Sequence, residues 1–167
     1  AAPASVQKPA SRKVELNSNE VALLKSLDTA VINLDRRPDR LQSFRDRFGE
    51  MFPQLQLQVT SAVDGRSTMI ESDLVTESWD TTQNAVYVRR RYGTWCECDY
   101  KERILELTPG ERGCAASHIK VWQNFLESGK EGPLLVLEDD ASPQPNFAGM
   151  LGRALEALPD DADILYL

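Results

Sequence analysis

Leu134-Leu135-Val136-Leu137-Glu138-Asp139-Asp140 is the stretch that decides how this chain folds. Four consecutive apolar residues describe a short strand buried on both faces, as strands of parallel sheets are. Three carboxylates follow at its C-terminal end. In open α/β sheets the ligand crevice lies outside the carboxyl ends of the strands. Adjacent carboxylates repel one another and prefer water, so their place at the end of an apolar strand calls for a compensating cation. Mg²⁺ or Mn²⁺ answers that need, because it binds one or two carboxylates and takes its remaining oxygens from a diphosphate. The plainer reading is a solvated acidic loop that caps the next helix.

Working outward, Phe147, Met150, Leu151, Ala154, Leu155 and Leu158 trace a helix that Pro159 closes, and residues 164–167 read as the start of another strand. On the other side, Thr108-Pro109-Gly110-Glu111 carries the Thr-x-x-Glu of a capping box with Pro at the first helical position. That helix runs to about Ser128, with Gly129 as its stop. Further back, Val21, Leu23, Leu24 and Leu27 indicate a short helix, and residues 30–34 form an apolar strand. Pro38 and Asp39 then open a helix bearing Leu41, Phe44 and Phe48 and ending at Pro53. Leu55, Leu57 and Val59 alternate as in a second strand that closes at Asp64-Gly65. Strands alternating with helices predict an α/β fold with a mainly parallel sheet. Residues 1–20 lack apolar periodicity and read as a flexible leader, residues 21–167 as one α/β domain, and residues 66–107 as an irregular excursion within it.

Composition narrows the function. The chain has 167 residues, of which 41% are hydrophobic, enough for a buried core, and a formal net charge of −7. Nucleic-acid binders concentrate Lys and Arg, so nucleic acid is not an expected partner. No apolar run approaches the roughly 20 residues of a membrane-spanning helix. Cys96, Cys98 and Cys114 are an odd number, and the close Cys-x-Cys pair is poorly placed for a mutual bridge, so they read as plain thiols rather than as zinc ligands.

Two more segments bear on chemistry. In Ile32-Asn33-Leu34-Asp35-Arg36-Arg37-Pro38-Asp39-Arg40, Asn33 falls at the end of the first strand, where its amide offers a donor and an acceptor to a base edge, flanked by Arg36 and Arg37. In Gly110-Glu111-Arg112-Gly113-Cys114-Ala115-Ala116-Ser117-His118, the lone histidine shares a helical face with Cys114, Trp122 and Phe125, which predicts a structural His118 rather than a catalytic one.

Together and in this order, residues 31–40, Ala62-Val63-Asp64-Gly65, residues 107–122, residues 137–140 and residues 163–167 resemble glycosyltransferase family 25, which includes lipopolysaccharide sugar transferases and collagen galactosyltransferases. The resemblance implies a GT-A-type, Rossmann-like sheet, incomplete at its C-terminal end here. It also implies a nucleotide sugar, usually UDP-linked, as donor, a divalent metal (Mn²⁺ or Mg²⁺), and inversion at the anomeric carbon. By analogy with such folds Asp140 is the metal ligand, Asp139 a nucleotide contact and Glu138 a second one, while Asn33, Arg36 and Asp64 border the nucleotide pocket. The acceptor is the hydroxyl of a glycan, a lipid-linked saccharide or a protein, and the base that deprotonates it is expected beyond Leu167. The compartment is an endomembrane lumen or a bacterial cytoplasm, according to the source. Two rivals stand beside this reading: a non-catalytic nucleotide-sugar or carbohydrate-binding module, and a response-regulator receiver domain. The latter also carries a Leu-Val-Leu-Glu-Asp-Asp strand, but normally at its beginning.

Overall fold

The structure, a computed structural model, describes residues 14–80 and 104–167. These form an α/β fold with a small parallel sheet of three strands and four helices, plus a short antiparallel ladder. In chain order the elements are α1 (Ser18–Ser26), β1 (Asp28–Asn33), α2 (Pro38–Met51), β2 (Leu57–Ser61), β3 (Ser78–Asp80), β4 (Ile104–Glu106), α3 (Pro109–Glu127), β5 (Leu134–Glu138) and α4 (Phe147–Glu156). They divide into two compact units, residues 61–128 and the remainder.

The larger unit is built on the sheet order β2-β1-β5, with β1 and β5 parallel and Asp28 to Ile32 paired with Leu134 to Glu138. Two parallel strands in this register end at the same level, so Asn33 and Asp139, one residue further on, lie at neighbouring strand ends. Five of the six residues of β1 are buried, among them its apolar centre Ala30, Val31 and Ile32 and the polar Thr29 and Asn33. α2 lays Phe44 and Phe48 onto the core, their rings stacked with centroids 4.3 Å apart. Phe52 joins them and meets Phe147 of α4 at 5.5 Å. The three phenylalanines are essentially fully buried, and truncating any one of them to alanine removes about 3–5 kcal/mol.

The stretch read as leader is in part ordered. Residues 1–13 lie outside the described residues, but Val14 and Leu16 pack on the core, and α1 begins at Ser18 under a reciprocal Asn17–Glu20 capping box. Residues 164–167, expected as a strand, form none. Ile164, Tyr166 and Leu167 are exposed, and an extended segment becomes a strand only when a neighbour completes its hydrogen-bond ladder. β2 starts two residues later than the alternation suggested. Leu55 enters the core from the bend before it, and Val59 is exposed.

In the smaller unit the excursion is partly regular. Trp79 of β3 pairs with Leu105 of β4, and Ile70 and Val75 pack with Ala116. Residues 81–103, with Cys96 and Cys98, lie outside the described residues. α3 starts under the Thr108–Glu111 capping box, and Gly129 follows its C-cap with φ of +65°, a conformation that side chains with a Cβ rarely adopt. Its buried face is not the one the apolar spacing indicated. Gly113, Ala116, Ser117 and Val121 are buried, whereas Cys114 and Trp122 are exposed and His118 is half-buried, its ring tilted against Trp122 at 6.0 Å. Close backbone approach, rather than hydrophobicity, selects that face: a Cβ on Gly113 would stand 2.6 Å from the Val63 carbonyl oxygen.

Candidate functional site

The acidic segment sits where the parallel sheet delivers it, at the C-terminal end of β5. Exposure alternates along it: Glu138 is exposed, Asp139 is buried, and the Asp140 side chain retains 70% of its exposure. Asp139 and Asp140 are therefore unlike in what they can reach. The chain turns sharply here, with the Ala141 amide donating to the Glu138 carbonyl at 3.0 Å.

Two arginines of α2 hold this turn. Arg40 Nη2 forms ion pairs with Asp139 Oδ1 and, at 3.0 Å, with Asp140 Oδ2. Two turns later, Arg47 Nη2 donates to the carbonyl oxygens of Asp139 (3.0 Å) and Ala141 (3.2 Å). The compensating charge that the triplet calls for is thus supplied at Asp139, and partly at Asp140, by a guanidinium of the chain itself. Burial pushes the Asp139 carboxyl above the usual carboxylate range, opposed by the attraction of Arg40 and reinforced by the neighbouring Asp140 and Glu138 charges.

Beside it, Asn33 ends β1 almost fully buried, donating from Nδ2 to the Leu34 carbonyl at 2.8 Å. Its Oδ1 is buried with no hydrogen-bond partner among the described residues. An unsatisfied buried acceptor costs about 1–3 kcal/mol, and such a group calls for an explanation, of which a donor brought by a ligand is one. Arg36 is exposed in the turn between β1 and α2. The neighbouring Arg37 forks onto Asp39 through two hydrogen bonds of 2.9 and 2.7 Å, which lower the Asp39 pKa to about 2.

Asp64 belongs to the smaller unit, where the turn that carries it is fixed by packing. Its backbone carbonyl accepts from Ser67 and Thr68 at 3.0 and 2.9 Å, and its Oδ1 accepts from the Arg66 amide at 3.1 Å. Ser117, buried on α3, accepts from the Val63 amide at 2.8 Å and donates to the Gly113 carbonyl at 2.6 Å. Gly65 lies so close to the first turn of α3 that a Cβ would stand 1.8 Å from the Pro109 carbonyl oxygen. Arg112 Nη2 then ties the carbonyls of Ile70 (2.5 Å) and Val75 (2.9 Å) to the same helix.

Of the residues singled out from sequence, Asn33, Arg36, Glu138, Asp139 and Asp140 belong to the larger unit and Asp64 to the smaller. Arg40, Arg47 and Ser117 were not singled out. The two arginines had a signal: with Phe44 and Phe48 they occupy positions i, i+4, i+7 and i+8 of one helix, so they lie along its core-facing side. A charge on such a face needs a partner.

Asp140 is the member of the triplet whose exposure and oxygen chemistry fit a hard divalent cation, although its Oδ2 also meets Arg40 at 3.0 Å, whereas Asp139 is buried against Arg40. No helix among the described residues is long and apolar enough to cross a membrane.

Comparison with known proteins gives this arrangement its context. The family described as glycosyltransferase family 25 (LPS biosynthesis protein) matches residues 27–167. The chain is 30% identical over 171 residues to a human protein named inactive glycosyltransferase 25 family member 3, covering 99% of this chain and 24% of that protein. It is 32% identical over 138 residues to a glycosyltransferase 25 family member of Drosophila pseudoobscura pseudoobscura, covering 81% and 19%. It is 28% identical over 148 residues to a mimivirus protein named procollagen lysyl hydroxylase and glycosyltransferase, covering 83% and 15%. The chain thus spans about a quarter or less of the length of these curated relatives. No solved structure matches it. With the family match covering all of the β-α-β core and the acidic turn, the chain belongs to glycosyltransferase family 25.

Proposed function

We propose that the larger unit is the nucleotide-sugar-binding part of a GT-A-type glycosyltransferase, which transfers a sugar from a UDP-linked donor to a hydroxyl acceptor with inversion. The observation that carries this is the exposed Asp140 carboxylate at the end of β5, on the strand neighbouring the buried, unpartnered Asn33 acceptor. Asn33 Oδ1 takes a hydrogen bond from the nucleotide, and Arg36 lies at the rim with charge for a phosphate. Asp140 holds Mn²⁺ or Mg²⁺, and Glu138, at the end of β5, is a second contact to the nucleotide sugar. Once bound, the metal supplies Lewis-acid stabilisation of the departing diphosphate. Asp139, first expected as a direct nucleotide contact, acts through the Arg40 pair that fixes the floor of the site. The acceptor class includes protein hydroxyls, a choice supported by the relative named for procollagen.

A second reading keeps the donor site and drops the transfer, and it is favoured by relatives named inactive, the human protein among them. Calorimetric titration of UDP into this chain with and without Mn²⁺ tests what both readings share. An acidic triplet repels a diphosphate unless a cation bridges them, so binding with Mn²⁺ and its loss without is the expected result. Equal affinity in both conditions contradicts the metal bridge. Screening UDP-sugars for hydrolysis then separates the two, because only the transferase reading predicts turnover.

A further inference from the structure

Asp139 and Asp140 share one guanidinium, yet the two halves of that contact differ in kind. The Asp139 side chain is 7% exposed, that of Asp140 70%, and Arg40 itself 32%. A buried carboxylate that loses its partner is left charged in a medium that cannot solvate it, whereas an exposed one falls back on water. The Asp139 half is therefore the anchor and the Asp140 half the part that gives way. A divalent ion approaching Asp140 thus meets a fixed positive charge 3.0 Å from one of its carboxylate oxygens. Repulsion at such distances is substantial even near a protein surface.

We propose that Arg40 is a built-in counter-cation that competes with the divalent ion for Asp140 and limits its affinity there, yielding the exposed carboxylate while staying on the buried one. The inference rests on the reading of Asp140 as metal ligand. Arg47 makes the exchange local: its bonds to the carbonyls of Asp139 and Ala141 hold the turn whether or not Arg40 contacts Asp140. Arg40 is thereby a positioning residue with a second, regulatory effect, setting the cation concentration at which the donor site becomes competent.

Removing Arg40 alone strands the buried Asp139 charge and endangers the fold, so the test compares three variants in which Asp139 is neutral: Asp139→Asn, Arg40→Gln/Asp139→Asn and Arg40→Lys/Asp139→Asn. Each is titrated with MnCl₂ by calorimetry after its melting temperature has been recorded. The Gln double variant should bind Mn²⁺ roughly tenfold more tightly than Asp139→Asn, as expected from deleting one nearby positive charge. The Lys double variant, which keeps the charge but not the fork, should fall back towards Asp139→Asn. Equal Mn²⁺ affinities in all three, or equal gains from Gln and Lys, would overturn the role of Arg40 while leaving the metal reading intact. No Mn²⁺ binding in any of them overturns the metal reading, and the inference with it.

Discussion

The two units fix their candidate carboxylates by opposite means. Asp140 stands on a turn held by charge, with the Arg40 ion pairs and two carbonyls on Arg47, so its surroundings consist of polar groups that can exchange partners. Asp64 stands on a turn held by contact: Gly65 and Gly113 allow main chain to lie against main chain, and Ser117 stitches the two together. A charged clamp can be loosened by an ion, whereas a packed seam has no graded response. A site that must admit a cation is better built on the first, and one that presents a constant edge on the second. Each unit also uses one arginine to gather two carbonyl oxygens, Arg47 those of Asp139 and Ala141 in the acidic turn, and Arg112 those of Ile70 and Val75, beyond the Asp64 turn. The contrast therefore lies in how the functional carboxylate itself is held.

Substitution at the packed seam should have the largest effect. Gly65→Ala places a methyl group 1.8 Å from the Pro109 carbonyl oxygen, and because its nearest neighbours are all main-chain atoms of α3, the loss of stability should be about 3 kcal/mol or more. Chemical denaturation measures it, and a loss below about 1 kcal/mol would show that the seam is softer than its geometry indicates.

At the charged clamp, Arg40→Ala should cost less, about 2–3 kcal/mol, since Arg40 is one-third exposed and water offsets part of the loss. Adding Asp139→Asn should recover most of it, because the neutral amide no longer needs a counter-charge. Denaturation of the single and double variants decides this, and additive losses would mean that the pair is not coupled.

The smallest effect belongs to the cap of α3. Thr108→Ala removes the side-chain bond to the Glu111 amide and should cost about 1 kcal/mol. Glu111 reaches back to the Thr108 amide and hydroxyl, both at 2.7 Å, and the hydroxyl bond, followed by that of the amide, holds its carboxyl below the usual range. A depressed carboxylate adds stability that is present above its unfolded pKa and is lost as pH falls through its folded one. Glu111→Gln should therefore lower stability at neutral pH and flatten the acid side of the melting profile. An acid limb identical to that of the parent would contradict the cap.

Much of the larger unit was legible because periodicity is a local property. Phe44 and Phe48 mark the buried side of α2, and an all-apolar run such as residues 134–137 can only be an internal strand or a buried turn of helix. Partnership is not local. Residues 164–167 have strand composition but no ladder, and nothing in the four residues themselves distinguishes the two outcomes. The face of α3 was misjudged for a related reason: a scale of hydrophobicity points to Cys114, Trp122 and Phe125, whereas the seam selects Gly113, Ala116 and Ser117 for their small size. In the site, the carboxylates were visible in sequence, whereas the guanidinium that holds two of them was legible only as a charge on the core-facing side of a helix, with no indication of its partner. Arg40 stands 99 residues before Asp139, and only the parallel pairing of β1 with β5 brings the start of α2 to the end of β5.

In the proposed donor site Asp140, and not Asp139, offers its carboxylate to a divalent cation that bridges a nucleotide diphosphate. Asp140→Asn preserves size and hydrogen-bonding capacity while removing the anionic oxygen, and at a side chain this exposed it should change stability by less than about 1 kcal/mol. The direct measurement is a calorimetric titration of UDP in saturating Mn²⁺ into the parent chain and into folded Asp140→Asn, with circular dichroism confirming the fold. The Mn²⁺-dependent part of UDP affinity should disappear in the variant; an unchanged Mn²⁺-dependent affinity in a folded Asp140→Asn protein would contradict Asp140 as the metal ligand.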